Sequence, residues 1–481
     1  MRRPRTAALQ AVAHPISPPL LFVVAAIAAS RIAVYAAGVR FDPTPLDYYW
    51  QIVEPELLRT RLLESLFYLH SQPPLFNLVL GLALKLFAAN FDVAMHGLYL
   101  GLGLALFVGL YVVLTRVEIP SWPSAIVAAA LAATPAALIY ENWLFYEYPT
   151  AALLVLSAVA LTAFLRRGSV ALGVVFFSLV AAVVYVRSIF QVFWLLAALA
   201  LLLLARRDLR RTTLLAVAPP LLAILLLVAK NAAVFGVLGT SSWWGMNLAQ
   251  VVDSQVPQAE RIQLVGEGKL SPVSAVDPFS PPRSYVRVVP PPRPRGVPVL
   301  DRLAKARGAP NMNNEILVRV SRDYAGDSFR LIRRRPGAYA RAIVEGGKLY
   351  LRPTTDYEGL NRNREKIGRY ERLFNQVFLL QRTERFDRIC WAVLLAHLIA
   401  LAYGLRLTYR LLRRRVEATV ANTTLAYVWV TLAYATLVVT FAQVTENNRL
   451  RFFLDPLAVV LVAAAIRDAA TRRAGRRPAA G

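Results

Sequence analysis

One cysteine and four histidines in 481 residues leave little room for several chemistries. Cys390 by itself cannot close an intrachain disulfide, and at the start of an apolar segment it reads as a packing residue that says nothing about compartment. His14, His96 and His397 show no ligand spacing with one another, and no metal motif is present. A glycine-rich phosphate loop is missing too, because Gly101 and Gly103 lie inside an apolar run where small residues serve helix packing. Neither a nucleophile elbow nor a Ser-His-Asp arrangement occurs. Acidic residues are scarce, 29 against 55 lysines and arginines, for a net charge of +26. The basic residues cluster at the ends of apolar segments, where they set membrane orientation rather than form the stripe that a nucleic acid needs. No nucleic-acid partner is expected.

Apolar residues abound. At 57% hydrophobic and a mean hydropathy of +0.47, the chain carries more apolar surface than a soluble core of its length holds. This predicts an all-α, polytopic membrane protein in contact with lipid. Segments long enough for a hydrocarbon layer of ~30 Å lie at about 20–38, 95–115, 123–140, 148–165, 169–187, 189–205, 212–236, 388–408, 421–443 and 453–468. Arg2, Arg3 and Arg5 ahead of the first could pass for a secretory signal, but the many later spans favour an uncleaved helix. Residues 74–90 form a further apolar stretch. Counted as a crossing, it puts Arg166, Arg167 and the Arg206–Arg211 group on the side opposite the N-terminal arginines, against the positive-inside rule. Read as a juxtamembrane helix opened by Pro73 and Pro74, it restores the rule. Arg116, Arg166, Arg167, Arg206–Arg211, Arg406–Arg415 and Arg467–Arg477 then all become cytoplasmic, with both termini.

The expected architecture is therefore about ten transmembrane helices plus one juxtamembrane helix. Residues 1–238 form a transmembrane domain with a first external loop at 39–94, residues 239–387 an external domain, and residues 388–481 the last transmembrane helices with a basic cytoplasmic tail. Within the external domain, Pro281, Pro282, Pro290, Pro291, Pro292, Pro294 and Pro298 predict an extended strap rather than a packed core. Residues 313–350 show helical spacing interrupted at Pro336, which predicts a small, mainly helical cap. Alanine- and arginine-rich usage with short loops suits a bacterial inner membrane.

The rise of the helix then sets the depth of each charge. Arg187, Lys230 with Asn231, Glu141, Glu147, Glu446 and Arg449 all emerge at external helix ends. Each alone is an ordinary interfacial charge, but their convergence from separate parts of the chain marks a site. Arg31 lies well inside the first span, where a charge costs roughly 2.5–3.5 kcal/mol, so it calls for a buried ion-pair partner. In the first loop, Asp47 stands at a helix N-cap position and is also a candidate general base. Asp42, before Pro43, reads as a turn former. His70 reads as a base, a phosphate contact or a hydrogen-bonded strut beside the proline turn, and Gln72 is a candidate substrate contact. A site outside the membrane, without a nucleotide-binding fold, needs a donor that is already outside. A lipid-linked phosphate donor meets that need.

FDPTPLDYYW followed by HSQPPLFN, then ENWLFYEYP, KNAAVFG and ENNRLRFFLDPL, come in an order that resembles the GT-C glycosyltransferases. The likeness is to family 39, the group that includes protein O-mannosyltransferases and the lipid A aminoarabinose transferase. The first two pieces resemble its Asp-before-aromatic loop and the H-x-x-P-P opening of its juxtamembrane helix. The others resemble its acidic second external loop, its Asn-and-Gly span end, and the Glu-x-x-Arg start of a late helix. The family often has Asp-Glu in the first loop, whereas Asp47 is followed by Tyr48, so the base stays open between Asp47 and Asp42.

The resemblance implies a GT-C fold and an inverting glycosyltransferase. A sugar would pass from a polyprenyl-phosphate donor to a glycan, lipid or protein acceptor on the periplasmic or exterior face. It implies Arg449, Arg187 and Lys230 as cations at the phosphate, Glu141 and Glu147 as orienting groups, and His70, Gln72 and Glu446 as further substrate contacts. No cofactor is assigned, and a divalent-cation requirement stays open, as do the sugar and the acceptor. A transporter or flippase of lipid-linked glycans is a rival reading, which would put charges along a translocation path and show half-helices broken by Gly or Pro. An O-antigen ligase or polymerase is another, since it shares the many spans and the large external loop.

Overall fold

The computed structural model describes residues 17–381 and 388–474. Arg2, Arg3, Arg5, His14, Arg476 and Arg477, and the end of the 239–387 segment, lie outside the described residues. Among the described residues the chain is helical, with only isolated bridges between extended segments. The bundle consists of α1 (Pro18–Ala36), α2 (Leu75–Phe87), α3 (Phe91–Arg116), α4 (Ser121–Ala132), α5 (Pro135–Glu141), α6 (Glu147–Arg167), α7 (Val170–Val186), α8 (Val192–Ala205) and α9 (Arg210–Phe235). A cap layer follows, with α10 (Trp244–Asp253), α11 (Ile316–Arg334), α12 (Pro336–Tyr350) and α13 (Gly368–Val377) as its longer helices. The chain then returns to the bundle through α14 (Trp391–Leu412), α15 (Val420–Ala442) and α16 (Asp455–Ala474).

Six helical runs are long and apolar enough to cross a membrane: α1, Leu75–Arg116, α6, Arg207–Phe235, α14 and α15. The pair α4 and α5, bent by 59°, makes a seventh. This is a multi-pass helical membrane protein. Each of the ten expected segments falls on helix, yet length and apolarity alone support six or seven spans. The 17 residues of α7 and 14 of α8 rise only about 26 and 21 Å, less than the ~30 Å layer. α16 is too charged, carrying Arg467, Asp468, Arg472 and Arg473.

The run Leu75–Arg116 is not one straight rod. Val79, Leu82 and Leu86 of α2 share a groove with Ala94, Met95 and Leu98 of α3, so the chain folds back at Ala88–Asn90. The 13 residues of α2 rise only about 20 Å, short of the ~30 Å layer. The bend between α4 and α5 has a local cause. Pro135 starts the second helix, and Thr134 caps it by accepting from the Ala137 N–H at 3.2 Å.

Polar side chains fasten the spans where the hydrophobic effect cannot discriminate between lipid and protein. Ser157 Oγ meets Tyr427 Oη at 2.8 Å, and Trp194 Nε1 donates to Thr431 Oγ1 at 3.1 Å. At one end of the bundle Arg166, Arg206, Arg207, Arg414 and Arg415 gather around Asp208 and Glu417. The cap covers the other end. It has a core of its own, with Trp243, Met246, Tyr285, Met312, Leu317 and Tyr324 buried together. The proline strap is accordingly narrower than expected: residues 290–296 are exposed, while Pro282 and Tyr285 turn inward. The break foreseen at Pro336 separates α11 from α12.

Candidate functional site

Between the cap and the bundle lies a cavity of about 660 Å³, within the ~300–1,000 Å³ usual for small-molecule sites. Its charged wall, with a buried carboxylate behind it, comes from three separate places. Glu147 opens α6, Arg187 follows α7, and Arg449 lies on the short helix Asn447–Arg451 between α15 and α16. Arg187 Nη1 reaches Glu147 Oε1 at 3.2 Å, and Arg449 Nε stands 3.4 Å from the same oxygen. Glu446 pairs with Arg449 from one turn earlier. The side chain of Glu147 is 0% exposed and that of Arg449 2%, against 28% for Glu446. Glu446 is thus the carboxylate of this group that remains open to the cavity.

Aromatic rings hold the cluster. The Arg187 guanidinium lies 4.2 Å from the Tyr146 ring centroid, and that of Arg449 lies 4.8 Å from Tyr357. Tyr357 Oη donates to Glu446 Oε1 at 3.1 Å, accepts from Arg449 Nη1 at 3.3 Å, and meets Tyr49 Oη at 3.0 Å. Burial raises the pKa of both phenols, so they stay protonated as donors. Among the described residues, several buried atoms here make no hydrogen bond: Glu147 Oε2, Arg187 Nε, Arg449 Nε and, in the wall, Gln51 Oε1. Buried polar atoms are nearly always satisfied, and Gln51, Arg187 and Arg449 line the cavity, where a polar ligand could meet them. Gln72, Gln191 and Asn247 line the upper wall, whereas Phe193, Leu238, Trp244 and Val438 give the mouth an apolar lip.

Of the residues singled out in the sequence, Gln72, Glu147, Arg187, Glu446 and Arg449 come together. The others do not. Glu141 forms a two-pronged pair with Arg31, at 2.9 and 2.8 Å, and accepts from Tyr148 Oη at 2.5 Å. Gly103 makes that approach feasible, since a Cβ there would collide with the carboxylate. The partner that Arg31 required is thus Glu141, not a substrate.

Asp42 folds its own turn by accepting from the Thr44 N–H and Oγ1 at 3.2 and 2.7 Å, and it pairs with Arg362 at 2.9 Å. Asp47 pairs with exposed Arg307 outside the cavity. His70 is a strut: Nδ1 meets Ser242 Oγ at 2.8 Å and Nε2 meets the Asn313 carbonyl at 3.0 Å. Burial pushes its pKa down to about 3, leaving a neutral ring that ties the first loop to the cap. Lys230 Nζ is spent on the Leu69 carbonyl at 3.0 Å.

Sequence reasoning missed Gln51, Gln191 and Tyr357. Gln51 could have been flagged by its place four residues after Asp47, but Tyr357 sits in a loop with no motif around it. Among the described residues no group of three or more His, Cys, Asp and Glu side chains is arranged to hold a metal.

No model of a known protein family matches this chain, and no curated protein matches it. The functional reading therefore rests on the cavity itself: two buried arginines, an accessible carboxylate held by a tyrosine, and a mouth that opens between apolar side chains.

Proposed function

We propose that the protein is an inverting glycosyltransferase of the GT-C type that takes its sugar from a polyprenyl-phosphate donor. The observation that carries the reading is the pairing of Arg187 and Arg449 on the wall of a cavity with an apolar lip. A lipid phosphate needs this combination, with cations for its oxygens and a greasy approach for its chain. In this reading the cap faces the periplasm or cell exterior of a bacterial inner membrane. The shorter α7 and α8, together with α16, complete about ten crossings, and α2 is the juxtamembrane helix.

The chemistry follows from the wall. An acceptor hydroxyl of a glycan, lipid or protein attacks the anomeric carbon from the face opposite the phosphate. The new C–O bond forms as the bond to the phosphate oxygen breaks. Arg187 and Arg449 take up the charge on the departing polyprenyl phosphate. The hydroxyl proton goes to a carboxylate, and the geometry favours Glu446 over Asp47 or Asp42, because Glu446 lines the cavity and the aspartates do not. A phosphate on Arg449 competes for the guanidinium that Glu446 now holds, which leaves Glu446 on Tyr357 and free to accept the proton.

The test is transfer from synthetic polyprenyl-phosphate sugars by purified protein, alongside mass spectrometry of envelope glycans from cells with and without the gene. Glu446→Gln is expected to lower transfer by roughly 10²–10⁴-fold, and Asp47→Asn to leave it near the parent rate. The reverse result would return the base to the first loop. The bent α4–α5 pair favours a transporter of lipid-linked glycans. Its charge is already sealed by Arg31 and Glu141, and movement of intact donor without transfer would identify that activity.

A further inference from the structure

The cavity wall holds three arginines, Arg187, Arg322 and Arg449, against the carboxylates of Glu446 and, behind it, Glu147. One positive charge is left over. Arg187 and Arg449 are both engaged by glutamates, whereas Arg322 makes no ion pair among the described residues. Its neighbour Asp323 pairs with Arg319 at 3.8 Å and feels Arg322 only more weakly. Arg322 belongs to α11 of the cap and is exposed at the cavity rim, beside Gly236 at the end of α9.

Its position is not left to a loose surface helix. Ser321 Oγ accepts from the Gly245 and Met246 N–H groups at 3.1 and 3.3 Å, which pins α11 to the start of α10. Gly245 lets the two backbones meet, because a Cβ there would collide with the Ser321 carbonyl. The residue after Ser321 is therefore delivered to the rim at a set height.

Resting on the glycosyltransferase reading, we infer that Arg322 is the cap's own phosphate ligand, supplying an unpaired positive charge to the anionic phosphate of a polyprenyl-phosphate lipid. The cap then acts as one wall of the donor site, and the donor phosphate sits between bundle arginines and a cap arginine.

The experiment measures equilibrium binding of undecaprenyl phosphate and of uncharged undecaprenol to the full-length protein in phosphatidylcholine nanodiscs. The parent is expected to prefer the phosphate. Arg322→Ala should weaken phosphate binding about tenfold, as loss of one charge-assisted hydrogen bond does, and Arg322→Glu should weaken it further. Undecaprenol binding and the thermal midpoint should not change in either variant, and Arg322→Lys should recover part of the affinity. Inorganic phosphate should compete poorly, and displacement at equal concentration would show a free-phosphate site and overturn the lipid assignment. If Arg322→Ala and Arg322→Glu bind undecaprenyl phosphate like the parent while Arg187→Lys does not, the cap ligand is wrong and the donor reading stands. A parent that cannot tell the phosphate from the alcohol overturns both.

Discussion

At the scale of single residues, burial decides what each charge is for. In the sequence, Arg449 reads as an interfacial cation at an external helix end. It is instead buried between Glu147, Glu446 and Tyr357. Arg449→Ala would strand Glu147 with Arg187 as its remaining ion-pair partner, and breaking a buried pair costs about 3–5 kcal/mol. That variant is expected to lose thermal stability as well as activity. Arg449→Lys keeps the charge but loses the planar fork, so it should stay folded and lose roughly 10²-fold in transfer. Thermal midpoint and transfer rate, measured on both variants, separate the two effects; equal loss of stability would remove the phosphate role.

His70 sets a pH dependence. Its pKa is about 3 when folded, against an ordinary value of 6.5, so between these values the unfolded chain binds the extra proton and acid destabilises the fold. The contribution is fully present above about pH 6.5 and fades as pH falls toward 3. Asp253 in the cap works in the opposite direction, since burial raises its carboxyl to about 7 and its neutral form favours the fold below that pH. The two partly cancel in the parent. His70→Asn removes the titration, so the difference in melting temperature between parent and variant should shrink as pH falls from 7 to 4. A constant difference would mean that His70 does not titrate on unfolding.

At the scale of elements, α2 and the α10–α11 contact carry separate expectations. If α2 lies beside the bundle and the chain reverses at Ala88–Asn90, Asn90→Cys should react with an impermeant maleimide from the same side as Leu238→Cys at the cavity rim. The native Cys390 is buried and gives little background. Labelling of Asn90→Cys only from the opposite side would make α2 a crossing. The α10–α11 contact is tighter. Gly245→Ala sets a methyl against the Ser321 carbonyl, an overpacking worth about 1–3 kcal/mol. The cap should melt earlier while the spans keep their helical signal.

At the scale of the whole molecule, the cavity ties two bodies together, one made of spans and one of cap helices. Ser241 Oγ donates to the Ser71 carbonyl at 2.5 Å, the Ser242 N–H donates to the His70 carbonyl at 2.8 Å, and Asn313 Oδ1 accepts from the His70 and Ser71 N–H groups. A ligand held between them should stabilise both. Polyprenyl phosphate at about a hundredfold over its Kd is expected to add ~2.7 kcal/mol of apparent stability. A single, shifted thermal transition checks this. A shift confined to the spans would place the ligand on the bundle surface.

Much of the architecture could be read in the chain because it depends on local pattern. A run of apolar residues seeks lipid wherever it lies, arginines collect at helix ends, and Pro336 stops a helix through its own ring. Composition and order alone therefore determined a helical membrane protein, the positions of its helices, and the fact that charges gather at helix ends. Partner choice is not local. Glu141 and Glu147 stand six residues apart, yet one turns inward to Arg31 and the other faces Arg187 and Arg449. Asp47, one of two first-loop candidates for the base, pairs with Arg307 outside the cavity, while Glu446 keeps an open face on it. Such pairings depend on how each helix is rotated and how far it slides against its neighbours. The packing of many distant side chains sets both, so only the tertiary structure decided which charges meet.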